Sequence, residues 1–281
     1  MKKVAVINDL SGFGKCSLSV ALPIISVLGS QCVPLATAVF TSQTDFSYYY
    51  YTDLTDMIDK YIEYWKLNNA SFDGIYSGYV TDHRQALLVS KFIDQFKTDK
   101  TKILIDPVMG DNGTTFKMFT NELLNTHKEL TKKANIITPN LTESCLLADI
   151  PITSIAKCNN DKDSLLELAI KAANILKARA NNDQEVIITG ITATIDNDHV
   201  VYNLVSDANG DHFTSTPMIN KRFSGTGDIF ASIITGLIMK DVDTLSAVKK
   251  AQDFIVSCIN DTPDTTNPSD GVYFEKHLKD L

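Results

Sequence analysis

From Lys2 to Thr189, short apolar runs rich in β-branched residues alternate with longer stretches of helical periodicity, and this alternation leaves few architectures open. The runs read as strands at residues 4–7, 32–37, 72–76, 102–105, 135–138 and 185–189. Helices are expected at residues 17–28, 53–67, 85–96, 122–131, 142–148 and 164–180, several ended by Gly, Asn or Pro. Strands this apolar must be covered on both faces, so the expected class is a three-layer α/β/α fold around a mostly parallel central sheet. Beyond Thr189 the pattern changes to period two. Residues 199–205 and 212–216 flank Asn209-Gly210-Asp211 as a β-hairpin, and two helices follow at 226–239 and 244–259. The tail from Asp261 reads as a surface wrap with a short last helix. No repeat, low-complexity block or linker interrupts the chain, so a single domain over residues 1–281 is expected.

Composition narrows the function classes. With 26 Lys and Arg against 34 Asp and Glu, the net charge is −8 and no basic stripe is present. Nucleic acid and anionic membranes are therefore disfavoured partners, and a phosphate would have to be held by backbone amides, a metal or a few local cations. Only four apolar residues, Val4 to Ile7, precede the polar Asn8-Asp9, too few for a secretory leader, and no run approaches a membrane span. Cys16, Cys32, Cys145, Cys158 and Cys258 are scattered and odd in number, as expected of reduced thiols in a cytoplasmic protein. His83, His127, His199, His212 and His277 show no ligand spacing and are expected at the surface.

In such sheets ligands bind outside the carboxyl ends of the strands. Polar residues gather there: Asn8-Asp9, Thr37, Ser77-Gly78-Tyr79, Asp106, Asn140 and Thr189. Ser224-Gly225-Thr226-Gly227-Asp228 precedes an apolar helix. Two glycines let several N–H groups converge and the helix terminus adds partial positive charge, which together make an anion hole. Asp228 at its edge could accept a proton from an alcohol attacking a bound phosphate; equally, it could simply complement the helix dipole. Asp106-Pro107-Val108-Met109-Gly110-Asp111 and Asn140-Leu141-Thr142-Glu143 offer oxygen ligands for Mg²⁺, or alternatively an Asp-Pro turn and a helix cap. Gly12-Phe13-Gly14-Lys15-Cys16 is rejected as a phosphate-binding P-loop, because Cys16 and Asp9 stand where Ser/Thr and Gly belong. Lys221 and Arg222 could contact phosphate or be solvated, and Tyr48–Tyr51 could stack on a flat ligand, form a lid or meet a second copy.

Taken in order, Ser77-Gly78-Tyr79, the Asp106–Asp111 segment, Thr138-Pro139-Asn140-Leu141-Thr142-Glu143 and Gly225-Thr226-Gly227-Asp228 resemble the pyridoxal kinase family of the ribokinase-like superfamily. Thr37-Ala38-Val39-Phe40 followed by Thr44 is similar too. The resemblance implies ATP-dependent phosphorylation of the 5′-hydroxymethyl group of pyridoxal, pyridoxamine or pyridoxine. It implies Asp228 as catalytic base and the amides of Gly225, Thr226 and Gly227 around the transferring phosphoryl group. It places Asp106, Asp111, Asn140 and Glu143 on the Mg²⁺–phosphate side, with Thr189 as a further nucleotide contact. Ser11, Thr44 and Tyr79 would line the pyridine-ring pocket, with Asp228 beside the hydroxyl. Such kinases are commonly homodimers and often helped by K⁺. Two departures stand out: the family serine after the first strand could correspond to Ser11, Asn8 or Asp9, and Asp45 follows Thr44 where a neutral residue is expected. A hydroxymethylpyrimidine kinase of the same fold is the nearest alternative, disfavoured by the absence of a second adjacent glycine after Ser11-Gly12. A sugar kinase or a catalytically silent ligand-binding protein is more distant.

Overall fold

The structure, a computed structural model, describes residues 1–196 and 198–281. Contacts divide it into two compact units, Met1–Lys102 with Ile219–Leu281, and Ile103–Met218. In chain order the first unit begins with β1 (Lys3–Phe13), α1 (Ser17–Val27), β2 (Gln31–Ser42), β3 (Tyr51–Asp53), α2 (Thr55–Leu67), β4 (Gly74–Ser77) and α3 (His83–Phe96). The second unit holds β5 (Lys102–Ile105), the small pair β6 (Gly110–Asp111) and β7 (Thr114–Thr115), α4 (Asn121–Thr131), β8 (Ile136–Ile137) and α5 (Leu141–Leu147). It continues through α6 (Thr153–Lys157), α7 (Lys162–Arg179), β9 (Glu185–Ile195), β10 (Asp198–Asp207) and β11 (Gly210–Pro217). The chain then returns to the first unit with α8 (Thr226–Ile238), α9 (Thr244–Asp261) and two 3₁₀ segments, Pro268–Asp270 and Phe274–Asp280.

In the first unit β1 lies parallel between β4 and β2, and β3 closes the edge antiparallel to β2. Val4, Ala5, Val6 and Ile7 are wholly inaccessible, as a parallel strand covered on both faces must be. In the second unit β8 lies parallel between β5 and β9, and the β10–β11 hairpin adds two antiparallel strands beyond β9. The expected helix-flanked, mostly parallel sheet is therefore present, as is the hairpin, whose turn falls at Ala208-Asn209, slightly before the expected Asn209-Gly210-Asp211, because Gly210 and Asp211 already pair with Asp207 and Ser206.

Several boundaries differ from expectation, each for a physical reason. β1 does not stop before Asn8 but runs on to Phe13, because β2 also continues to Ser42 and pairs with it residue by residue. The register shifts between Asn8 and Leu10, where β2 carries one extra residue. Asn8 and Asp9 continue the run of buried residues that begins at Val4, and Ser11 is buried as well. The expected surface position of His127 is overturned: α4 carries it into the core, only 1% exposed, and burial pushes its imidazole down to about pKa 4, so it stays neutral. All five cysteines are free thiols. Among the described residues no helix is long and apolar enough to cross a membrane.

Candidate active site

The first unit builds a carboxylate site where β1 passes the start of α1 and α8. Gly225 precedes α8 in the left-handed conformation, φ +80°, and a Cβ there would lie 1.9 Å from the Lys15 carbonyl oxygen. Only glycine fits that crossing of two backbones. It also leaves the first turn of α8 without a side-chain cap, whereas α3, α4, α5, α7 and α9 start at Asp82, Thr120, Asn140, Asp161 and Asp243, whose side chains each accept a first-turn N–H. A helix terminus left this way keeps its N–H groups for an anion. Gly227 is exposed with open space beside its Cα, and Gly225 and Thr226 are half-buried.

Asp228, in that first turn, is closely surrounded by protein with part of its side chain still accessible. Asn8 donates from Nδ2 to Asp228 Oδ1 at 3.3 Å, and the Ser17 N–H also points to this carboxylate. The Asn8 amide cannot flip, because its Oδ1 already accepts the N–H groups of Asp9 at 3.0 Å and Tyr79 at 2.9 Å. Gly78 lets it lie flat, since a Cβ there would fall 2.4 Å from Asn8 Nδ2. Asp9 is 5% exposed and accepts two hydroxyls, Ser17 Oγ at 2.5 Å and Ser11 Oγ at 2.9 Å. Ser17 itself sits at φ +51°, a left-handed conformation that costs a non-glycine residue roughly 1 kcal/mol or more.

Electrostatics follow from this packing. Burial pushes Asp228 up to about pKa 6; the neighbouring Asp9 charge adds to the rise, and the Ser17 and Asn8 donors oppose it. Asp9 is raised as well, chiefly by burial, against its two serine hydroxyls. Cys16, the residue before α1, is pushed up to about 12 by burial and by the negative charges of Asp228 and Asp9, so it remains a thiol. Tyr79 is raised for similar reasons and stays neutral.

The expected ring-side residues fare differently. Tyr79 is half-buried beside Asn8 and edge-on to Phe40, at 6.5 Å between ring centroids. Ser11 is buried with its hydroxyl turned to Asp9. Thr44 lies exposed in the turn after β2. That turn is tied down by Gln43, which donates to the Ser269 carbonyl at 2.9 Å and accepts the Asp45 N–H at 2.9 Å. Asp45, the departure noted in the sequence, accepts the hydroxyl of Ser224 immediately before Gly225. Lys15 is committed to the Val272 carbonyl and to Glu275, at 3.0 and 2.9 Å, in line with rejection of a P-loop. Lys221 pairs with Asp264 at 2.6 Å.

The second unit gathers the acidic segments. Glu143 is buried and braces the strand-end loop: Oε1 accepts the Met109 N–H at 2.9 Å, and Oε2 accepts the Asn140 N–H at 2.9 Å. Asn140 returns the bond by accepting the Glu143 N–H at 3.0 Å, a capping box that starts α5, and donates to the Gly110 carbonyl at 2.7 Å. Asp106 accepts the Thr138 hydroxyl at 3.0 Å. Burial and the nearby Asp106 charge raise Glu143 well above the usual carboxylate range. Thr189 bridges to Asn140 as a strand neighbour. Asp111 turns to its neighbour Asn112, accepting both its backbone and side-chain N–H groups at 2.8 and 2.9 Å. The structure thus brings Asp106, Asn140, Glu143 and Thr189 together and gives Asn140 and Glu143 structural employment. Among the described residues no three His, Cys, Asp or Glu side chains converge on one metal position.

Sequence reasoning did not foresee Asn8 and Ser17 as partners of Asp228, nor Asp9 as its charged neighbour. The extension of β1 through Asn8 and Asp9 depends on pairing with β2, and a left-handed serine has no compositional signature. The Asn8-Asp9 pair at a strand end was the one available signal.

Comparison with known proteins fits this layout. Residues 22–272 match the family model described as phosphomethylpyrimidine kinase. A candidate phosphomethylpyrimidine kinase from Bacteroides thetaiotaomicron VPI-5482 is 35% identical, with a TM-score of 0.90 over 100% of this chain and 93% of that one. A second crystal form of a candidate phosphomethylpyrimidine kinase from that organism, with pyridoxal, is 34% identical, with a TM-score of 0.89 over 99% and 95% of the two chains. A pyridoxal kinase from Dictyostelium discoideum is 25% identical over 69% of this chain and 63% of its own length. A hydroxymethylpyrimidine/phosphomethylpyrimidine kinase from Haemophilus influenzae is 30% identical over 60% of this chain and 59% of its own. The match therefore spans under two thirds of these two curated relatives. A family match that starts inside α1 and ends beyond α9, taking in both acidic segments and the Gly225 loop, means that this chain belongs to the phosphomethylpyrimidine kinase family.

Proposed function

We propose that this protein is an ATP-dependent kinase that phosphorylates the 5′-hydroxymethyl group of pyridoxal, pyridoxamine or pyridoxine. The observation that carries the reading is Asp228, a carboxylate raised to about pKa 6, in the uncapped first turn of α8 beside Gly225. The solved Bacteroides protein with pyridoxal, at 34% identity over nearly the whole chain, supports a B6 vitamer as acceptor.

In this reading the vitamer hydroxyl oxygen attacks the terminal phosphorus of ATP. A new O–P bond forms, the bond to the ADP oxygen breaks, and the hydroxyl proton passes to Asp228. An alcohol is far too weak an acid for a carboxylate to deprotonate beforehand. The transition state is loose, so the proton need leave only late, as the new bond forms. Charge on the transferring group is met by the N–H groups at Gly225, Thr226 and Gly227, which are in place before the reaction and need no reorganisation. Asn8 and Ser17 orient the accepting carboxylate, and Tyr79 lies beside the acceptor pocket.

The same reading gives Asp106 the role of Mg²⁺ ligand and Thr189 a nucleotide contact. The donor set fits: Mg²⁺ commonly takes one or two carboxylates and completes its shell with water and phosphate oxygens. Asp106 accepts the Thr138 hydroxyl, while Glu143 and Asn140 hold the loop that carries it. When bound, the ion would neutralise charge on the phosphates.

A hydroxymethylpyrimidine kinase is the second reading, favoured by the family model and by the Haemophilus influenzae relative. Both acceptors are flat heteroaromatic alcohols, so the phosphate-side groups serve either. Steady-state kinetics with pyridoxal, pyridoxamine, hydroxymethylpyrimidine and ribose decide between them. The expected result is a kcat/KM for a B6 vitamer at least tenfold above the others. A preference for hydroxymethylpyrimidine would replace the first reading with the second, and vitamer binding without ADP release would refute both.

A further inference from the structure

Asp9 is a buried carboxylate that the mechanism above does not use. Both its oxygens are engaged by side-chain hydroxyls, Ser17 Oγ at 2.5 Å and Ser11 Oγ at 2.9 Å, and 5% of the residue is exposed. Its partner Ser17 is the first residue of α1 and is held at φ +51°. In that conformation the Ser17 N–H donates to Asp228. An ordinary serine relaxes out of the left-handed region unless something fixes it. Here the short Oγ bond to Asp9 is that restraint. The backbone N–H of Asp9 also fixes the Asn8 amide, the second donor to Asp228.

We propose that Asp9 is a positioning residue of the proton-accepting site: it holds Ser17 in the conformation that turns its N–H onto Asp228, and it supplies a negative field beside that carboxylate. The proposal rests on the reading of Asp228 as base. The titratable groups facing Asp228 are Asp9 and Cys16, and those facing Asp9 are Asp228, Cys16 and Tyr79. Cys16 and Tyr79 stay neutral through the working range, so Asp9 is the neighbour whose charge Asp228 feels. The two effects separate. Geometry acts on turnover, and charge acts on the pH at which Asp228 becomes a base.

The test uses the full chain with ATP, Mg²⁺ and its best acceptor. Asp9→Asn keeps volume and a hydrogen-bonding head but removes the charge. The expected result is a fall in kcat of about tenfold; on the acid limb, loss of the charge and loss of the Ser17 donor oppose each other. Adding Ser17→Gly should recover most of the lost kcat, because glycine takes the left-handed conformation unaided. With that donor restored and the charge still gone, the acid limb of kcat/KM in the double variant should lie about half a pH unit or more below the parent's. A purely structural role for Asp9 predicts no recovery of kcat and a double-variant limb at the parent's position, and that result overturns the proposal. Should Asp9→Asn fail to fold, Ser17→Gly and Ser17→Ala carry the test. Both lack the hydroxyl and differ in how readily they adopt φ +51°, so the glycine variant should turn over at least tenfold faster than the alanine variant; equal rates overturn the proposal. Asp228→Asn serves as the control. If it keeps more than half of the activity, the base reading fails. If it is inactive while the Asp9→Asn/Ser17→Gly double variant leaves the limb in place, only the present inference fails.

Discussion

Replacing Asp228 by Asn should remove activity and stabilise the fold together. Asp228 rises from 3.8 to about 6, mainly because burial disfavours the charged form. A shift of about two units at 1.36 kcal/mol each corresponds to roughly 3 kcal/mol, and partial access to solvent brings the usable figure to about 1–2 kcal/mol. The folded state holds this proton more tightly than the unfolded chain. The penalty is therefore absent below pH 4, grows as the pH rises through the interval up to about 6, and is complete above 7. The neutral amide of the Asp228→Asn variant carries no such penalty. Melting curves at pH 4, 6 and 8 should show the variant level with the parent at pH 4 and about 2–6 °C higher at pH 8. At the same time kcat should drop by about 10²–10⁴. The reasoning fails if the difference in melting temperature does not change with pH, because the carboxylate would then not be held ionised at a cost. It fails in its catalytic part if the variant keeps more than half of the parental rate.

Further outcomes follow from the same contacts. On the proposed function, the parent protein should lose kcat/KM as the pH falls through about 6, the range in which Asp228 takes up its proton; a profile flat down to pH 5 would contradict this. Gly78→Ala puts a Cβ 2.4 Å from Asn8 Nδ2 and should push the amide off Asp228. Losing that donor raises Asp228 further, so the acid limb should move upward. Gly225→Val meets both a left-handed φ and the Lys15 carbonyl, so soluble protein should melt several degrees lower with turnover reduced at least tenfold; unchanged turnover would remove this loop from the phosphate site. Glu143→Ala leaves the buried Met109 and Asn140 N–H groups without an acceptor, which should cost about 2–4 kcal/mol in denaturant melts and raise KM for ATP more than it lowers kcat.

Periodicity and punctuation alone sufficed for the alternation of strands and helices, for the hairpin around Gly210 and for the start of α8 at the Gly225 loop, because each depends on residues adjacent in the chain. Residue type and order likewise marked out Asp228, Asp106 and the Asn140–Glu143 cap. Tertiary structure decided the rest. The continuation of β1 to Phe13 depends on its pairing with β2, and with it the burial of Asn8 and Asp9 under the covering layers. The left-handed Ser17, the two donors on Asp228 and the Asp45–Ser224 bond join residues far apart in sequence. His127 shows the same division: its place in α4 is local, but its burial is fixed by what packs over that helix face. Local preferences need only a few neighbouring side chains, whereas burial, bulges and charge coupling arise when distant segments meet.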